Sequence, residues 1–254
     1  MKYFALLCLA LSAFAADYPA PQEGDYTTKN FKFRDGQSLP ELRLHYATIG
    51  TPRRDARGQI TNAVLILHGT GGSGKQFLQP QFANELFGPG QPLDASRYYI
   101  ILPDNVGHGG SSKPSNGLHM RFPNYDYDDM VAAQHLLVTE GLGVQHLRLI
   151  FGTSMGCMHS FVWAESYPDF MDALMPMACQ TVEIAGRNRF WRDAIINAIK
   201  WGHGLGRLGP ELLPTPTLNR FEAAGNRGMH STWAEPNSMA PMSGALPLGR
   251  ARLK

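Results

Sequence analysis

Hydrophobic and polar positions along the chain divide it into short, mainly apolar runs separated by glycine-rich polar turns. Three runs stand out: Ala63 to Leu67 (AVLIL), Ser96 to Leu102 (SRYYIIL) and Leu147 to Phe151 (LRLIF). Each is too short for a helix and lacks the in/out alternation of a half-exposed strand, so each predicts a strand buried on both faces of a parallel sheet. Two runs between Asn30 and Gly50, FKF and LRLHYATI, do alternate, and Asp35-Gly36 separates them. That pattern predicts an antiparallel pair at the edge of the sheet.

Between the buried strands the period changes. Asp128 to Glu140 places Met130, Ala133, Leu136 and Leu137 on one side of a helix that ends at Gly141 to Gly143. A second helix is predicted from Cys157 to Tyr167, stopping before Pro168, then a strand over Leu174 to Ala178 and a helix through about Lys200. The order defines an α/β fold with a mostly parallel sheet flanked by helices. Residues 201–254 are rich in Gly, Pro, Arg and Met and keep neither period, so they read as an irregular or disordered tail. The sheet is therefore expected to be incomplete at its C-terminal end. The change of composition near Lys200 favours a truncated or shifted reading frame over a short irregular cap or a disordered extension.

The opening MKYFALLCLALSAFAAD has Lys2, an apolar run from Tyr3 to Leu11 and small residues before Asp17. These are the regions of a secretory signal peptide over residues 1–16, and the run is shorter than the roughly 20 residues that span a bilayer. The organisation expected is thus a leader at 1–16, a core at 17–200 and a tail at 201–254. A secreted or periplasmic location follows, with no membrane span once the leader is removed. Cys8 leaves with the leader. Cys157 and Cys179 remain, too few for a disulfide framework, and are expected as two buried free thiols.

Composition narrows the partners. The 254 residues are 43% hydrophobic and 17% charged, with 23 basic against 21 acidic residues and net charge +2. Nucleic acid and anionic membrane surfaces call for concentrated positive charge, so a small-molecule partner is expected.

The candidate chemistry sits at Gly152-Thr153-Ser154-Met155-Gly156, directly after the third buried run. In G-x-S-x-G after a strand and before a helix, the serine occupies a sharp turn that lifts its oxygen off the sheet. Ser154 is the candidate nucleophile. The glycine-rich loop His68 to Lys75 admits two readings. Gly69 to Lys75 has phosphate-loop spacing, but Gln76 stands where a magnesium-binding hydroxyl belongs, and Pro103 interrupts the run that would be the second nucleotide motif. The alternative is an oxyanion loop, with the N–H groups of Thr70 and Met155 as paired donors. His45 and His108 read as structural histidines. His203 and His230 read as solvated loop residues, and Asp169, Asp172 and Asp193 as helix residues, so the acid and base of a triad are unassigned. No Cys or His cluster has metal-ligand spacing, and no bound cofactor is expected.

Taken together, His68-Gly69 after one strand, Asp104 through Gly107-His108-Gly109 with Ser111 and Ser112 after the next, and the Ser154 turn resemble the α/β-hydrolase superfamily over about residues 30–180. Within it the chain looks most like the homoserine O-acetyltransferase-like branch, through LRLHYATIGTP, Ser-Met-Gly and GRNRFWR followed by DAIINAIK. The resemblance implies an acyl-enzyme on Ser154 and, in true acetyltransferases, acetyl-CoA as a substrate. It also implies a triad acid and histidine after later strands, which the run beyond Lys200 does not offer. Departures are His68-Gly69-Thr70 where the branch tends to show His-Ala-Leu, and Thr153 and Cys157 where it tends to show glycine. Three functions stay open: ester or thioester hydrolysis, acetyl transfer, and a non-catalytic or truncated relative lacking the triad.

Overall fold

The computed structural model describes residues 17–182 and 184–205, of which 199–205 are described as helical backbone only. The expected leader at 1–16 and most of the expected tail at 201–254, including His230, lie outside the described residues.

Six strands form one sheet: β1 (Gln22–Lys32), β2 (Ser38–Ile49), β3 (Ala63–Leu67), β4 (Tyr99–Pro103), β5 (Leu149–Thr153) and β6 (Leu174–Met177). Their spatial order is β1-β2-β4-β3-β5-β6. The expected hairpin at the edge is present, with Phe31 opposite Leu39 and Gly36 turning the chain at φ 87°. Its first strand begins earlier than the apolar pattern indicates, because the polar stretch from Gln22 pairs through its backbone with β2. From β4 onward all neighbours are parallel.

The side chains of β3 explain why the central runs lack alternation. Val64 and Ile66 pack on one face with Phe77, Ala83 and Phe87, while Ala63, Leu65 and Leu67 pack on the other with Val131, Val138 and Trp163. Both faces are covered, so every position is apolar. The first of these layers includes helix α1 (Pro80–Leu86), with Pro80 in its first turn. The amphipathic pattern misses this helix because it has only seven residues. The opposite layer is made by α2 (Tyr127–Leu136), which loosens into a π-turn at Leu137–Gly141, and by α3 (Met155–Ser166). The chain continues from β6 into α4 (Gly186–Leu205). His203 therefore lies in the last turn of a helix, and the loop assignment is corrected.

Two further expectations change. Asp169 and Asp172 lie in the turn between α3 and β6, not on helices; only Asp193 is helical. Cys157 and Cys179 are joined in a disulfide with Cα atoms 5.9 Å apart. Counting cysteines could not reveal this. The parallel register, with Thr153 opposite Met177, brings the first turn of α3 beside the residue that follows β6 by two positions. No helix among the described residues is long and apolar enough to cross a membrane.

The bridge closes a loop of 22 residues in sequence separation. Replacing both cysteines by alanine is expected to lower the unfolding free energy by about 3 kcal/mol, measured by guanidinium titration under non-reducing conditions. Unchanged stability would contradict the linkage.

Candidate active site

Ser154 stands between β5 and α3 with φ 53° and ψ −111°, a backbone conformation that L-residues other than glycine rarely adopt. The surrounding chain holds it there. Its N–H donates to the Met177 carbonyl at 2.9 Å, and its carbonyl accepts the Met158 N–H at 3.2 Å to start the helix. The glycines on either side have steric reasons. A Cβ on Gly152 would lie 2.1 Å from the Gly156 carbonyl oxygen, and one on Gly156 would lie 2.1 Å from the Leu67 carbonyl oxygen. Helix α3 thus crosses β5 and β3 at a separation that only bare backbone permits.

Because β3 and β5 are parallel neighbours, with Leu67 opposite Gly152, the loops leaving both strands emerge side by side. A Cβ on Gly69 would come within 3.3 Å of Ser154 Cβ and 3.9 Å of its Oγ. Gly69 and exposed Thr70 therefore flank the serine on one side, and buried Met155, the first residue of α3, begins the helix on the other. The helix N-terminus adds positive potential near the Oγ. Ser154, Thr70 and Met155 are gathered at one end of the sheet.

The phosphate-loop reading of Gly69 to Lys75 fails on geometry. The Gly74 N–H donates to Asp104 Oδ1 at 2.7 Å, and the Gly110 N–H donates to Asp104 Oδ2 at 2.7 Å. Of the loop's own amides, Gly74 is taken by a carboxylate of the protein itself and Gly72 by the Gly69 carbonyl. Lys75 pairs with Glu23 at 2.7 Å. Asp104 is buried, and Ser111 Oγ donates to its carbonyl at 2.7 Å, so the loops after β3 and β4 are stitched together beneath the site.

The histidines divide as follows. His45 lies on β2 with Nδ1 2.9 Å from Asp25, a structural pairing. His108 sets its ring edge against His68 at 5.3 Å and its Nδ1 3.1 Å from the Val106 carbonyl, tying down its own loop. His68 is fully buried; burial, aided by the nearby His108, brings its pKa down to about 4. His159 on α3 is buried too, and burial brings its pKa down to about 3. Both rings are neutral at neutral pH and are bound away from Ser154, His68 to Gly69 and Asn105 and His159 to Gln134. Among the described residues no histidine or carboxylate hydrogen-bonds the Ser154 hydroxyl. Asp172 lies at the opposite end of the sheet, before β6, paired with His146 at 2.7 Å and with Arg148.

His159, Gln134 and Trp163 escape the motif reading, yet they form a buried polar cluster under the serine turn. Trp163 Nε1 donates to Gln134 Oε1 at 2.7 Å, and Gln134 Nε2 lies 3.2 Å from His159 Nδ1. The available signal is a glutamine within the apolar face of α2.

This arrangement is that of the alpha/beta hydrolase fold, and the chain belongs to that family: its model matches residues 62–207. The relatives it resembles include homoserine O-acetyltransferases, a probable acyltransferase and an ester hydrolase. A homoserine O-acetyltransferase of Chlorobaculum parvum is 30% identical over 80% of this chain and 55% of its own length. An ethyl acetate hydrolase of Pseudomonas veronii is 36% identical over 65% of this chain and 46% of its own. Among solved structures, the acetyl esterase MekB superposes with a TM-score of 0.62 at 29% identity, covering 73% of this chain and 52% of that one. The chain spans about half the length of the curated relatives it matches.

Gly152→Ala is expected to destabilise by at least about 2 kcal/mol through overpacking against backbone. Gly143→Ala, at φ 69° with open space around its Cβ position, should cost only about 1 kcal/mol. Urea midpoints of the two variants compare them; equal losses would contradict the steric account of the turn.

Proposed function

We propose that the protein is a serine acyl-transfer enzyme that hydrolyses a small ester or thioester through an acyl-enzyme on Ser154. The observation that carries this reading is the left-handed backbone of Ser154 at the β5–α3 junction, directly under the Gly69-Thr70 loop. Ser154 Oγ attacks the acyl carbon, its proton passes to a base, and the leaving alcohol or thiol departs with a proton. Water then attacks the acyl-enzyme and releases the acid. The Thr70 and Met155 N–H groups stabilise the negative oxygen of both tetrahedral intermediates. Losing one such donor in a comparable site costs about 3 kcal/mol of barrier lowering. The base is unassigned, since buried His68 and His159 are hydrogen-bonded to Gly69, Asn105 and Gln134 rather than to Ser154.

Similarity to the Pseudomonas veronii ethyl acetate hydrolase and to MekB supports hydrolysis of short acyl esters. Similarity to homoserine O-acetyltransferases supports a second reading, in which acetyl-CoA donates the acyl group and an amino-acid hydroxyl accepts it. A secreted or periplasmic setting is part of the proposal. The leader pattern supports it, and so does the Cys157–Cys179 bridge, because disulfides persist in oxidising compartments.

A fluorophosphonate probe is expected to label the purified protein at a single site, and Ser154→Ala to abolish the label. Labelling of the alanine variant equal to that of the parent would exclude Ser154. For the acceptor, short p-nitrophenyl ester hydrolysis should exceed homoserine-dependent consumption of acetyl-CoA; the reverse ranking selects the transferase reading.

A further inference from the structure

The buried polar cluster has one consistent set of hydrogen positions, and these lead to the loop beside Ser154. Trp163 Nε1–H is only a donor, so the atom facing it at 2.7 Å is the Gln134 carbonyl oxygen. Gln134 Nε2 then has two hydrogens to give, one to Asn105 Oδ1 and one to His159 Nδ1 at 3.2 Å. Asn105 is held by this contact, and its backbone N–H donates to His68 Nε2 at 3.0 Å. A nitrogen that accepts carries no proton, so the neutral His68 ring has its hydrogen on Nδ1. That nitrogen lies 2.8 Å from the Gly69 carbonyl oxygen, which also accepts the Gly72 N–H at 3.1 Å.

The Gly69 carbonyl and the Thr70 N–H are opposite ends of one planar peptide. Fixing and polarising the first orients and strengthens the second. We propose that His68 is a positioning residue that aims the Thr70 N–H at the oxyanion. Its tautomer is set by Asn105 and supported by Gln134 and Trp163. The proposal rests on Ser154 being the nucleophile and Thr70 N–H an oxyanion donor. Burial keeps His68 neutral down to about pH 4, and a second ring proton would turn Nε2 against the Asn105 N–H.

Two substitutions separate positioning from packing. The amide nitrogen of His68→Asn can stand near the Nδ1 position and still donate to Gly69, whereas the amide of His68→Gln reaches the Nε2 position and leaves Gly69 without that donor. The maximal rate of Ser154 modification by a fluorophosphonate is expected to fall by about 30-fold in His68→Gln and by no more than about threefold in His68→Asn, with the half-saturating probe concentration little changed in both. Equal losses in the two variants, with the parent protein labelled normally, would overturn the positioning role and leave the nucleophile reading intact. A parent protein that is not labelled would remove that reading and the proposal with it. If either variant does not fold, the full chain carrying ¹⁵N-histidine decides. A protonated Nδ1 and an acceptor-type Nε2 on His68, unchanged from pH 8 to about pH 5, support the proposal. A protonated Nε2 overturns it.

Discussion

The fold depends on one backbone conformation, the left-handed turn that Ser154 makes between β5 and α3. A non-glycine residue there costs on the order of 1–3 kcal/mol and persists only where its surroundings over-determine it. Here they do. The Ser154 N–H is tied to the end of β6, its carbonyl opens α3, and the disulfide from Cys157 to Cys179 joins the same two segments again. Gly152 and Gly156 allow α3 to lie against β5 and β3 closely enough for this to happen. A serine held off the sheet at the head of a helix has its oxygen presented and its neighbouring N–H unbonded within the helix, which is the geometry acyl transfer requires.

The other side of the serine depends on the loop after β3, and that loop is held from below. Asp104 binds the amides of Gly74 and Gly110, and His68 binds the Gly69 carbonyl. A glycine-rich loop would otherwise be conformationally free, since glycine has the widest accessible backbone range. Two buried side chains from the sheet end convert it into a fixed wall. Despite its phosphate-loop spacing, its Gly74 amide is bound by the internal carboxylate of Asp104.

Much of the architecture was legible because buried parallel strands leave an unmistakable imprint. AVLIL corresponds to β3 residue for residue, and the Ser154 turn needed only its two glycines and the strand before it. Tertiary relations were not legible. The disulfide follows from the β5–β6 register, which no count of cysteines contains, and α1 is too short to show a period. The role of Gln134 comes from Trp163 and Asn105, 29 residues away in either direction. Asp172 carries the residue type of a triad acid, but the strand direction puts it at the wrong end of the sheet.

The central claim is that Ser154 forms a covalent acyl intermediate. Acid-quenching the protein within milliseconds of mixing with p-nitrophenyl acetate, then mapping its peptides by mass, tests it most directly. An acetyl increment confined to the peptide carrying Ser154 is the predicted result. Release of p-nitrophenol with no acyl group on that peptide, or with the group on another residue, would contradict the account.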